Sequence, residues 1–381
     1  MGLKPWTGSR DDLRGEWEKQ NHRGVAGQTC VGLDPGSPID RLVERRLAQK
    51  PIAPTRTTTG IRKITEYRLG SAPVARTHML DCDVVHHAWD NAIPPKLTID
   101  AGDTVVMKCR DSSDGHFRRG MTSADMKPRA VKGHPLTGPI AVRRARPGDV
   151  LQIDILELVP GDLGYTAFNP GRGLLPEDFP EAYLKMWELD GVSAELRPGV
   201  RISLEPFLGV MGVALAEPGE HSTIPPRKSG GNMDIKQLTA GTTLYLPVSV
   251  EGALFSAGDG HAAQGDGEVC ITAIETTMTA TLRFSLRHDR ALAGPEFETT
   301  RPLSPRTNAG HHYVTTGIAP DLMEASKEAV RAMIRHLVDV RGLSREEAYV
   351  LSSVAVDLKI SEVVDAPNWV VSAFLPLAVF S

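Results

Sequence analysis

The sequence predicts a mainly β fold with a smaller α/β portion at the C-terminal end. Three observations carry this. Leu151, Ile153 and Ile155 alternate with Gln152 and Asp154, and Leu282, Phe284 and Leu286 alternate with Thr281, Arg283, Ser285 and Arg287. A two-residue period gives a strand one apolar and one wet face. The 381 residues include 36 Gly and 28 Pro, a density that breaks helices and suits many turns between short strands. Near the C-terminus the period changes: Val330, Met333, Ile334, Leu337 and Val338 fall on one helical stripe.

Taken in order, residues 1–60 are polar and aperiodic, with Pro51-Ile52-Ala53-Pro54 and Thr57-Thr58-Thr59-Gly60. They read as an extended arm suited to wrapping a partner subunit. Residues 61–290 read as a β-rich domain. Gly102-Asp103, Gly148-Asp149 and Gly161-Asp162 are turn signals beside its strands. The first two each precede an apolar strand, a hint of a repeated β-unit. Residues 291–381 read as an α/β portion packed on that domain. Gly342 ends the amphipathic helix, Ser344 with Glu347 has capping-box spacing for a second helix, and Trp369 to Phe380 reads as a strand returning to the body.

The formal net charge is -4, with both signs interspersed, and only 5% of residues are aromatic. Neither a basic field nor a stacking surface for nucleic acid is expected. Met1 to Gln20 carry no apolar signal core, and the apolar run Val370 to Phe380 is broken by Ser372 and Pro376, too short for a bilayer. Cys30, Cys82, Cys109 and Cys270 form no Cys-x-x-Cys pair and read as reduced thiols. A soluble, cytoplasmic protein is expected.

The stretch that carries chemistry is Gly258-Asp259-Gly260-His261-Ala262-Ala263-Gln264-Gly265-Asp266-Gly267-Glu268. It sets Asp259, His261, Asp266 and Glu268 among four glycines, a density that a solvated hairpin does not need. Carboxylates and an imidazole converging on one point suit a divalent metal such as zinc. The expected local structure is a glycine-rich loop anchored on a strand from Glu268 to Glu275. Two further clusters are His86-His87-Ala88-Trp89, whose adjacent histidines would point to opposite faces of a strand, and Asp111-Ser112-Ser113-Asp114-Gly115-His116, an Asp/Ser turn.

These motifs resemble the acetamidase/formamidase family of metal-dependent amidohydrolases. The likeness rests on Gly258-Asp259, His261, Gln264-Gly265-Asp266-Gly267-Glu268 and Ala273-Ile274-Glu275. Glu205-Pro206-Phe207-Leu208-Gly209-Val210-Met211-Gly212-Val213, Gly230-Gly231-Asn232-Met233-Asp234 and Trp89 with Ile93-Pro94-Pro95 extend it from about residue 64 to the end. The sequence departs from the family at Asp90-Asn91, where formamidase-like members have His-Pro, and at Ile271, where many members have glycine.

The resemblance implies a β-sandwich-like fold, a homo-oligomer, and hydrolysis of short linear amides such as acetamide or formamide through a metal-activated water. His86, Asp259, His261 and Glu268 are the expected metal ligands. Asp266 or Glu275 is the expected proton carrier, with Gln264 holding the substrate amide. Trp89 and Asp111 are expected at the substrate, Trp89 with Pro94-Pro95 as a stiff wall that limits acyl size. The competing expectation is a β-sandwich binding protein with a structural metal, since closed and open sites share ligand types. A serine hydrolase is not expected, because no Gly-x-Ser-x-Gly elbow occurs.

Overall fold

The computed structural model describes residues 75–127, 133–299, 310–363 and 367–380. The expected arm, residues 1–60, lies outside the described residues. Thirteen strands join in one branched sheet. Its main path runs Gly230–Asn232, Phe207–Val213, Phe255–His261, Glu275–Arg287, Val150–Phe168, Thr242–Pro247 and Glu296–Thr299. The two alternating stretches fall on neighbouring antiparallel strands, with Leu282 opposite Ile155 and Phe284 opposite Ile153. Leu151, Ile153, Leu282 and Phe284 are fully buried, while Arg283 is exposed and pairs with Asp154. The two-residue period thus places the core face as read.

Gly102-Asp103 and Gly148-Asp149 are turns, each leading into a strand that flanks Glu275–Arg287. Gly161-Asp162 is not. It lies inside the Val150–Phe168 strand, where the register against Glu275–Arg287 slips between Thr276 and Met278. The glycine therefore marks a bulge. Cys82 is buried, and Cys30 lies outside the described residues. Cys109 and Cys270 are free and buried.

The C-terminal portion is a three-stranded antiparallel sheet of His312–Ala319, Trp369–Pro376 and Asp357–Glu362, with helices Leu322–Arg341 and Arg345–Ala355. Gly342 caps the first helix in the left-handed region at φ 63. Ser344 and Glu347 form the reciprocal capping box of the second. No described helix is long and apolar enough to cross a membrane.

Two large apolar cores result. One fills the big sheet, with Phe207, Leu208, Ala257 and Met278. The other joins the C-terminal helices to the chain around residues 168–204 and to Ala262, Ala263, Val269, Cys270 and Ile274. The stretch between Phe255–His261 and Glu275–Arg287 thus leaves the first core and enters the second. This seam positions the site.

Candidate metal centre

Gly258-Asp259-Gly260-His261 is the end of a strand, not a loop. The loop comprises residues 262–274, and the next strand begins at Glu275 rather than Glu268. Strand geometry explains the grouping. Asp259 lies two residues from His261, with its backbone in the left-handed region at φ 60. His261 stands directly opposite Glu275 on one neighbouring strand and opposite Phe207 on the other. Glu275, 14 residues away in sequence, becomes the nearest carboxylate, with Oε1 3.3 Å from His261 Nε2.

Asp259 Oδ1 lies 3.5 Å and Glu268 Oε1 3.9 Å from the same nitrogen. Asp234 joins from the turn after Gly230–Asn232. Asp234, His261 and Glu268 form one group able to grip a cation, and Asp259, His261 and Glu275 form another. Asp234 had no assigned role in the sequence reading. Its signal was its place in the Gly230-to-Asp234 motif, but nothing local aims it at a strand residue 27 positions on.

Gly209 makes the space. It faces Asp259 across the strand pair, and a Cβ there would lie 2.6 Å from Asp234 Oδ1, 2.9 Å from Asp259 Oδ2 and 2.9 Å from His261 Cε1. Any other residue would occupy the point where these side chains meet.

Gln264 fixes the tautomer of His261. Its Nε2 donates to the carbonyl of Asp234 (2.8 Å), so its Oε1 faces His261 Nδ1 at 2.9 Å. Nδ1–H must then donate, which leaves a lone pair on Nε2 when the ring is neutral. A metal-bound imidazole is commonly fixed in this way by a carbonyl on its far side. His261 Nε2, Asp259 Oδ1 and Asp234 Oδ1 are buried and have no hydrogen-bond partner among the described residues. One nitrogen and two carboxylate oxygens left without partners are a donor set that suits a divalent cation.

The electrostatics agree. Burial pushes the Asp234 carboxyl up to about 7 despite the favourable His261 ring. Burial, with Asp234 next, raises Glu268 well above the usual range, and burial also raises Glu275. Asp259 goes the other way: His134 and His261 outweigh its burial and hold it low. For His261 the carboxylates of Glu275 and Asp259 outweigh burial and raise the ring well above its ordinary value. Mutual repulsion of these carboxyls disfavours their charged forms, and a divalent ion bound among them would reverse that.

The other expected residues fall outside these two groups. His86 belongs to neither group; its Nδ1 lies 2.8 Å from Ala88 O and its Nε2 2.9 Å from Ser256 Oγ. A different imidazole approaches the site: His134 Nε2 is 3.8 Å from Asp259 Oδ2. Asp266 accepts from Gln237 Nε2 at 3.2 Å and lies 3.8 Å from Lys236 Nζ. Trp89 is 2% exposed and packs with Leu136 and Val210. Asp111 accepts from the backbone N–H groups of Ser113 and Gly115 and from the Ser113 hydroxyl, so its carboxylate builds the turn after Thr104–Cys109.

The family described as acetamidase/formamidase matches residues 74–219 and 214–381. Formamidase of Methylophilus methylotrophus is 28% identical over 368 residues, covering 78% of this chain and 89% of that protein. Acetamidase of Mycolicibacterium smegmatis is 30% identical over 248 residues, 48% of this chain and 61% of that relative's length. Among solved structures, the gamma lactamase from Delftia acidovorans superposes with a TM-score of 0.74 at 27% identity, covering 81% of this chain and 94% of that one.

Proposed function

Since the chain belongs to the acetamidase/formamidase family, we propose that it hydrolyses short linear amides, acetamide or formamide among them, to carboxylate and ammonia with one divalent ion, zinc. The observation that carries this reading is the convergence of the orphaned His261 Nε2 and Asp259 Oδ1 atoms beside Glu275. Asp259, His261 and Glu275 would hold the ion from the sheet. When bound, it supplies Lewis acidity that activates water near neutral pH and polarises an amide carbonyl.

The chain's own groups do the rest. Gln264 keeps the His261 proton on Nδ1. Glu268 is the open side of the cluster, its side chain 17% exposed against 3% for Glu275 and 4% for Asp259. It is therefore placed to take a proton from entering water and return it to departing ammonia. This exchanges the roles expected of Glu268 and Glu275 from sequence. Asp234 flanks Glu268 from the neighbouring turn.

Metal-stripped protein assayed on acetamide, formamide and a small γ-lactam tests the reading. Activity should vanish on exhaustive chelation and return with added zinc. Full turnover by metal-free protein would overturn it.

A further inference from the structure

Glu275 is reached from the side away from His261 by a buried chain of hydroxyls. Ser112 Oγ lies 2.7 Å from Glu275 Oε2, and the Tyr165 hydroxyl lies 2.6 Å from Ser112 Oγ. All three residues are buried. The other oxygen, Oε1, accepts from the Ala273 N–H at 2.9 Å and faces His261. A carboxylate only accepts, so Ser112 must donate to Glu275 and then accepts from Tyr165. The direction of the chain follows from its end.

We propose that Ser112, backed by Tyr165, is a positioning residue that holds Glu275 as a ligand with Oε1 turned to the cation. It rests on the reading of Glu275 as a metal ligand. Three different elements build it. Ser112 sits in the turn that Asp111 shapes by accepting from the Ser113 and Gly115 backbone. Tyr165 lies on Val150–Phe168, directly opposite Glu275 in the sheet, and its ring packs on Phe117 with centroids 4.5 Å apart. Without Ser112, Oε2 loses its only hydrogen-bond donor among the described residues, and the carboxylate is free to turn away from the ion. Hydrogen bonds of this kind orient ligands, and their removal typically weakens metal binding or activity by about 10–100-fold.

The test is zinc affinity of the metal-stripped full chain, measured by competition with a chelating dye. Ser112→Ala should weaken zinc by about 10–100-fold, Tyr165→Phe by less, and Ser112→Thr, which keeps the hydroxyl, by no more than about threefold. In a Glu275→Ala background, Ser112→Ala should add nothing, because the effect runs through that carboxylate. Wild-type affinity in a Ser112→Ala protein that melts normally overturns the proposal, as does a full additional loss in the Glu275→Ala background. Should Ser112→Ala fail to fold, Tyr165→Phe decides, since it keeps the ring on Phe117 and removes only the hydroxyl; unchanged affinity there is equally fatal. Zinc binding with this pattern in a protein that cleaves no amide would remove the amidase reading and leave this one standing.

Discussion

The two halves of the site are held by different physics. Asp259, His261 and Glu275 sit on adjacent strands of the large sheet, where ladder register fixes which side chains meet. Gln264 and Glu268 sit on the loop of residues 262–274, which has no ladder. It is tied to the C-terminal portion: Gly265 N–H donates to Ser353 O at 2.8 Å, Asp266 N–H to Asp357 Oδ1 at 3.0 Å and Cys270 N–H to Ser353 Oγ at 3.1 Å. Gly265 is required there, since a Cβ would lie 2.1 Å from Val356 O. The sheet half is rigid by pairing, whereas the loop half is rigid only while the second core is folded. The C-terminal helices are thus part of the site's support, though none of their side chains enters it.

The largest effect should come from the sheet half. His261→Ala removes the imidazole common to both candidate groups. Zinc should be lost, by elemental analysis, and amide turnover should vanish with it, while the thermal transition stays near that of the apo wild type. Normal zinc content would remove His261 from the centre.

Breaking the tie between halves comes next. Lys236, two residues after Asp234, is buried and ion-paired with buried Asp357 at the start of the C-terminal strand. Lys236→Met leaves Asp357 unpaired and should cost about 3–5 kcal/mol in urea unfolding. If the loop depends on this junction, zinc affinity should fall as well. Full zinc affinity in the destabilised variant would show that the sheet half alone suffices.

Gln264→Ala probes the loop half without touching a ligand. The His261 ring loses the acceptor for its Nδ1–H, and zinc affinity or kcat should drop by about 10–100-fold. A wild-type value in both would mean that the sheet orients His261 unaided.

A gain is expected at Ile271. This exposed, β-branched residue sits in the left-handed region at φ 78, where glycine carries no steric penalty. Ile271→Gly should raise stability by about 1 kcal/mol, read as an upward shift in urea midpoint. A lower midpoint would place the loop's strain elsewhere. The smallest effect should be that of Asp266→Asn. Its side chain is 33% exposed and supports Lys236 and Gln237 rather than the cluster, so stability should change by less than ~1 kcal/mol with zinc retained. A loss of zinc or a collapse in rate would return Asp266 to the chemistry.

Much of the fold was legible in the chain because it is local. The alternation at 151–155 and 281–287, the stripe from Val330 to Val338, and the caps at Gly342 and Ser344 each depend on neighbours within a few residues, and the structure keeps them. The crowding of Asp259, His261 and Glu268 among glycines likewise singled out residues whose side chains the structure brings together. Even the departure at Ile271 was visible by resemblance, although its cost appears only with φ.

What pairing decides could not be read in that way. Glycine suggested a loop at Gly258-Asp259-Gly260-His261, but ladder partners on both sides make it a strand. Glu275 reaches His261 through cross-strand register, and Asp234 through a turn folded over Gly209. His86 meets Ser256, 170 residues away in sequence, and the bulge at Gly161 comes from how two long strands match. Contacts among residues distant in sequence are set by the burial of a whole sheet and a second core. No window of the sequence contains that free energy, so only the tertiary structure could decide them.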